Sequence, residues 1–152
     1  MAKAAGTGRR SGWKAGAMAT SVILIVEDDV DLREEVADEL RDCGYEVLEA
    51  NNGLEATEII AAQPPDLIVS DISMLGMNGY ALVHDVRSGP EATRNTPIIL
   101  LSALADAEHM RKGLESGAND YLKKPVNIDV LLGKIRSYLP ARATVFHPCD
   151  TH

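Results

Sequence analysis

The chain has 152 residues, a length that suits one domain. Apolar residues make up 45% and charged residues 25%, the profile of a globular protein, and no apolar run approaches the roughly 20 residues needed to span a bilayer. The 15 basic and 23 acidic residues give a net charge of −8, which argues against nucleic-acid binding, because that draws on phosphate neutralisation by Lys and Arg.

The charge is uneven. Residues 1–20 hold Lys3, Arg9, Arg10 and Lys14 and no acid, so the rest of the chain carries −12. This Gly-, Ala- and Ser-rich stretch lacks the apolar centre of a targeting peptide and reads as a disordered basic extension. From Ser21 short apolar runs alternate with longer amphipathic ones. Val22–Val26, Leu67–Val69 and Ile98–Leu101 are continuous and rich in branched residues, as strands buried on both faces of a parallel sheet are. Tyr45–Glu49 and Asp120–Lys123 are more polar and read as the two edges.

Between them lie five helical stretches. In the first, Leu32, Val36, Leu40 and Cys43 form one stripe, Asp31 with Glu34 resembles a capping box, and Gly44 sits at C′. Cys43 is expected to be a small buried apolar residue. The second covers Leu54–Ala62 after a candidate N-cap, Asn52, and stops at Pro64-Pro65. The third covers Tyr80–Arg87. The fourth starts near Asp106, buries Met110 and Leu114 and ends at Gly117. The fifth follows Asn127 and carries Ile128, Leu131, Leu132, Ile135 and Leu139.

Five βα units with short connections imply a parallel, doubly wound α/β sheet with helices on both faces. The strand order 2-1-3-4-5 places the two polar strands at the edges. The folded unit is expected to span 21–140, with a short frayed tail over 141–152. That tail, Phe146–His152, contains possible metal ligands, but a structural metal needs about four converging groups and a frayed terminus is the simpler reading. The two cysteines, Cys43 and Cys149, show no metal-type spacing, and a reducing, cytoplasmic setting is the default.

Ligands bind such sheets outside the carboxyl ends of the strands, where the strand order reverses. Glu27, Asp28 and Asp29 follow the first strand, Asp71 the third, Ser102 the fourth and Lys124 the fifth, while the second delivers nothing obvious. Carboxylates crowded at one edge repel one another, and a hard divalent cation such as Mg²⁺ relieves that repulsion. Asp29 and Asp31 are more simply explained by the dipole of the first helix. A hydroxyl and a lysine converging on the remaining acids are the groups a phosphoryl site needs.

The segments Ile23–Asp29, Asp66–Met74, Ile98–Ala103 and Gly117–Pro125, in this order and spacing, resemble the response-regulator receiver family over about residues 21–140. The resemblance implies a flavodoxin-like fold and a single-domain phosphorylation switch of a two-component or phosphorelay system. It implies that Asp71 accepts a phosphoryl group from a partner's phosphohistidine. By the same resemblance, Mg²⁺ is held by Asp28, Asp71, the backbone carbonyl of Ser73 and, through water, Glu27. Lys124 pairs with Asp71 and then with the phosphate. Ser102 and Tyr121 are the hydroxyl and aromatic switch residues. Such a protein is not an ordinary enzyme but a phosphoacceptor that promotes its own phosphorylation and dephosphorylation.

There are departures from the family pattern. Leu75 stands where Pro is usual, within a stretch, Gly76-Met77-Asn78-Gly79, that keeps its turn character. Leu104 is apolar at a position that tunes dephosphorylation in the family. The implied partners are a histidine kinase or histidine-phosphotransfer protein upstream and a protein target downstream. That target reads the face made by the fourth helix, fifth strand and fifth helix, which could also hold a phosphorylation-linked homodimer. Only residues 141–152 follow Pro140, so no DNA-binding output domain is expected, and neither nucleic acid nor membrane is an expected partner. A receiver fold used as a scaffold without phosphorylation is the main alternative. Such scaffolds usually lose the acids or the lysine, and this chain keeps them. A haloacid-dehalogenase-type phosphohydrolase would want an acid at Ser73, and a nucleotide-binding module would want a Gly-rich phosphate loop; neither is present.

Overall fold

The computed structural model describes residues 20–73, 78–103 and 107–139. Its strands are β1 (Val22–Val26), β2 (Glu46–Ala50), β3 (Leu67–Asp71), β4 (Ile98–Ser102) and β5 (Asp120–Lys123). They form one sheet in the order β2-β1-β3-β4-β5, every neighbouring pair parallel. This is the 2-1-3-4-5 order expected from the polarity of the edge strands. Six helices flank the sheet: α1 (Val30–Asp42), α2 (Gly53–Ala62), α3 (Gly79–Arg87), α4 (Glu91–Arg94), α5 (Ala107–Glu115) and α6 (Ile128–Tyr138).

The continuous apolar runs behave as buried central strands. Every residue of β1, β3 and β4 is buried. Successive side chains alternate between faces. Ile23, Ile25, Leu67, Val69, Ile99 and Leu101 pack with Val36 and Leu40 of α1 and with Leu131 and Ile135 of α6. Leu24, Val26, Ile68, Ile98 and Leu100 pack on the opposite face with Ala56 and Ile60 of α2 and with Leu82, Val83 and Val86 of α3. Each fully buried Leu or Ile side chain contributes about 1.5–3 kcal/mol of apolar burial. Two cores on opposite sides of one sheet hold its carboxyl edge rigid from both faces.

Several local expectations change. The α1 N-cap is Asp29, whose side chain accepts from Leu32 N at 3.2 Å, so Asp31 lies inside the first turn and forms no capping box. Asn52, Asn78 and Asn127 cap α2, α3 and α6 in the same way. The helix α4 is additional: four residues are too short for an apolar period, and Pro90 begins it. The helices counted fourth and fifth in the sequence are therefore α5 and α6. Leu114 is 45% exposed rather than buried. Instead α5 presents Gly113 to the sheet, where an added Cβ would meet the Tyr121 ring at 2.9 Å. Gly44 and Gly117 end α1 and α5 with φ of 96° and 115°, a left-handed conformation that L side chains rarely adopt.

Cys43 is buried as the α1 stripe requires, but its sulfur is disulfide-bonded rather than a simple apolar filler. Arg87 donates to the carbonyls of Gly117 and Thr96 and to Asn119 Oδ1 at 2.8–3.0 Å, tying α3 to the chain that enters β4 and β5. No helix among the described residues is long and apolar enough to cross a membrane. The basic extension up to residue 19, Leu75, the Gly76-Met77 turn, Leu104 and the 141–152 tail lie outside the described residues, as does the Met110 side chain.

Candidate phosphoryl site

The site forms where β1 and β3 lie side by side, with Val26 opposite Ser70. Asp71 ends β3, and Glu27 and Asp28 follow β1. Carboxylate oxygens of Glu27, Asp28 and Asp71 all lie within 4.8 Å of one another. Lys124, just beyond β5, reaches back across the edge: its Nζ is 2.9 Å from Glu27 Oε1 and 3.2 Å from Asp71 Oδ1. Its backbone N–H donates to the Ser102 carbonyl at 2.8 Å, which fixes where the lysine leaves the sheet. The Lys124–Pro125 peptide is cis.

Glu27 and Asp71 are almost wholly buried, 1% and 5% exposed, whereas Asp28 is exposed. Burial drives the pKa of Asp71 above the ordinary carboxylate value; Lys124 pulls it back and the charge of Asp28 adds to the rise. Burial likewise raises Glu27, against its ion contact with Lys124 and the hydrogen bond from Asp29 N, which donates to Oε2 at 3.1 Å. Desolvation disfavours the charged Lys124, but its contacts with Glu27 and Asp71 outweigh this and its pKa is raised.

A hard cation fits this donor set. Three carboxylates converge, two buried and one open to solvent, which is the oxygen-rich, partly hydrated arrangement that Mg²⁺ accepts. Glu27 Oε1 is a buried side-chain oxygen without a well-aligned hydrogen bond, held only by its ion contact with Lys124.

The other expected residues lie on neighbouring elements. Ser102 ends β4, 4% exposed, one residue beyond the Leu101 that faces Asp71 across the ladder. Ser73 is exposed two residues after Asp71. Tyr121 is buried at 5% exposure against Gly113. Tyr80 lies beside it, with Lys112 Nζ 4.9 Å from the Tyr80 ring centre.

Two contributors were not foreseen. Gly79 N–H donates to Ile72 O at 2.8 Å, and a Cβ at Gly79 would lie 2.7 Å from Asp71 O and 2.9 Å from Ile72 Cα. Because both atoms are backbone, relief requires moving Asp71 itself. We expect Gly79→Ala to cost about 1–3 kcal/mol, the usual range for overpacking, read as a lower urea midpoint at unchanged m-value. The second contributor is Arg33, which is buried in α1 and bonded to the β1 and β2 ends. Its signal in the sequence was a cation three residues before Val36 and seven before Leu40, on the buried stripe. Through it the second strand does deliver a group to this edge, Asn51.

Residues 23–136 match the response regulator receiver domain family. The chain belongs to that family. The receiver is similar to the chemotaxis protein CheY4 of Vibrio cholerae, with a TM-score of 0.75 and 34% identity, covering 80% of this chain and all of that one. It is also similar to a putative response regulator from Chloroflexus aurantiacus, with a TM-score of 0.74 and 37% identity, covering 78% and 97%. Among curated relatives, the transcriptional regulatory protein CusR of Escherichia coli is 40% identical over 123 residues, 81% of this chain and 53% of that protein. The phosphate regulon regulator PhoB of Pseudomonas aeruginosa is 37% identical, covering 80% and 53%. The chain thus spans about half the length of the curated relatives it matches. As a receiver domain of the two-component type, it is a phosphorylation-dependent signalling switch.

Proposed function

We propose that Asp71 is the phosphoacceptor, taking a phosphoryl group from a phosphohistidine of a histidine kinase or histidine-phosphotransfer protein. The observation that carries this reading is the approach of Lys124 Nζ to within 3.2 Å of a buried Asp71 at the centre of the carboxylate cluster. An Asp71 oxygen bonds to phosphorus as the P–N bond breaks and the donor imidazole leaves with the electron pair. Lys124 stabilises the negative charge spread over the phosphoryl oxygens and afterwards holds the phosphate. Glu27, Asp28, Asp71 and the Ser73 carbonyl would hold Mg²⁺, which when bound supplies charge neutralisation for the carboxylates and the phosphoryl oxygens.

The acyl phosphate replaces one carboxylate by a group of greater charge and more acceptor oxygens. The Ser102 hydroxyl turns to it, Tyr121 follows, and the α5-β5-α6 face takes its second state. A downstream protein, or a second copy of the chain, reads that face. Retention of all the acids and of Lys124 favours this reading over a phosphorylation-independent scaffold. No ordinary enzymatic turnover, nucleic-acid contact or membrane contact is assigned to residues 21–140. We assign the chain to the cytoplasm.

Incubation with acetyl phosphate and Mg²⁺ tests the proposal by intact mass. We expect an adduct of one phosphoryl group that is absent with EDTA. An adduct that forms equally well in EDTA would overturn the metal assignment, and an adduct mapped by peptide analysis to any residue other than Asp71 would overturn the phosphoacceptor assignment.

A further inference from the structure

Arg33 is a cation held in the interior of α1, 9% exposed, and its guanidinium bonds three elements at once. Nη1 donates to the Glu27 carbonyl at 2.8 Å and to Asn51 Oδ1; Nε donates to Glu49 Oε1 at 3.0 Å. Such charge-assisted bonds on a planar fork hold their acceptors in a fixed relative geometry. The acceptors are themselves anchored. Glu49 also binds Arg41 at 3.1 Å, and Asn51 N–H donates to Glu55 Oε1 of α2 at 2.9 Å. Burying a guanidinium is expensive unless it is paired and hydrogen-bonded, as it is here, so the arrangement holds a defined geometry.

We infer that Arg33 is a positioning residue for the acid pocket: by holding the Glu27 carbonyl it sets the plane of the Glu27–Asp28 peptide, and so aims the Asp28 carboxylate at Asp71. The peptide is rigid, so fixing its oxygen fixes the Cα of Asp28 as well. The Glu27 side chain has its own restraints, Lys124 on one oxygen and Asp29 N on the other. Asp28 has none: among the described residues no donor binds its carboxylate, and it is exposed to solvent. The backbone therefore sets only where its Cα–Cβ bond starts and which rotamers reach Asp71, and the side chain that grips that backbone is Arg33. The inference rests on the reading of Glu27, Asp28 and Asp71 as a cation site.

The test measures Mg²⁺ binding by calorimetry on the full chain, with wild type, Arg33→Lys, Arg33→Met and Arg41→Ala side by side. Amide NMR spectra of the same proteins report the peptide directly. Arg33→Lys keeps the charge and the apolar stem, but one ammonium cannot span three acceptors. We expect it to weaken Mg²⁺ binding about 3- to 10-fold, and Arg33→Met more, with the Asp28 and Asp29 amide signals displaced in both. Arg41→Ala loses the exposed partner of Glu49 but no bond to Glu27, and should bind Mg²⁺ as wild type does. Wild-type affinity in folded Arg33→Lys and Arg33→Met, with the Asp28 amide unmoved, would overturn the inference. So would Arg41→Ala weakening binding as much as Arg33→Lys, since the effect would then be one of general stability. Failure of the wild type itself to bind Mg²⁺ is a different result: it removes the cation site, and with it the inference.

Discussion

Asp71→Asn should abolish phosphoryl incorporation and, in the absence of metal, raise the melting temperature. Loss of the adduct is complete because the amide has no nucleophilic carboxylate oxygen to offer. The stability gain follows from the sign of the pKa shift. Burial raises Asp71 above its ordinary value, outweighing the pull of Lys124. A carboxylate whose folded pKa is raised costs no stability below the unfolded pKa, where both states are protonated. The cost grows as pH rises and is complete above the folded pKa. Glu27, raised by the same cause, behaves alike. Above the folded pKa values the metal-free acids carry this cost, and a neutral isostere at Asp71 is expected to relieve its share. A gain of about 1 kcal/mol would appear as roughly 3–5 °C by calorimetry in EDTA. Mg²⁺ should stabilise the wild type and act far more weakly on Asp71→Asn. A lower melting temperature for the variant in EDTA would show that the Lys124 pair, not desolvation, dominates at Asp71.

The second large effect is expected at Lys124. Truncation as Lys124→Ala removes the only cation seen within 4 Å of Glu27 and Asp71 among the described residues. Losing one donor aimed at developing charge typically costs about 10²–10³ in rate, and the phosphorylation rate with acetyl phosphate should fall on that scale. The variant also separates two roles of the lysine. Lys124 restrains the pKa of both acids, so without it Glu27 and Asp71 rise further. Mg²⁺ needs them deprotonated, so its affinity should fall on acidification at a higher pH in Lys124→Ala than in wild type. Wild type should itself lose affinity above the usual carboxylate range. The lysine's own raised pKa adds stability that is present below its unfolded value and lost as pH rises through the folded one, so this part fades only in strongly alkaline solution. Calorimetric titrations at several pH values, with phosphorylation rates beside them, check each part. A rate unchanged by Lys124→Ala would rule out the proposed role in charge stabilisation.

The two variants also bear on how the switch is set. In the unphosphorylated site Lys124 bridges Glu27 and Asp71 across the sheet edge, and β5, which leads to it, carries Tyr121 three residues earlier. On the proposed reading, a change in what Lys124 binds would be delivered to the strand that seats the aromatic residue. Gly113 leaves room for that ring on α5. The proposed coupling between phosphate and the α5-β5-α6 face would thereby be short and pass through packed groups.

By itself the sequence determined the architecture and the composition of the site. Unbroken branched runs between helical stripes read as strands covered on both faces, so the parallel sheet was legible, and its order followed from the common doubly wound arrangement that puts the two polar strands at the edges. The acids, hydroxyl and lysine at the strand ends were legible for the same reason, because topology delivers strand ends to one edge. What the tertiary structure decided were matters of direction and contact between distant segments. Leu114 has the spacing of a buried residue, yet α5 turns Gly113 inward because the Tyr121 ring occupies that space. Asp29 caps α1 in place of Asp31, a choice made by where β1 releases the chain. The turn around Gly79 and the cation on the α1 stripe were visible, but not the close approach of Gly79 to Asp71 O or the bond of Arg33 to Glu27 O. Local sequence encodes periods and caps, but which backbone atom a side chain meets across the fold is settled only when the segments pack.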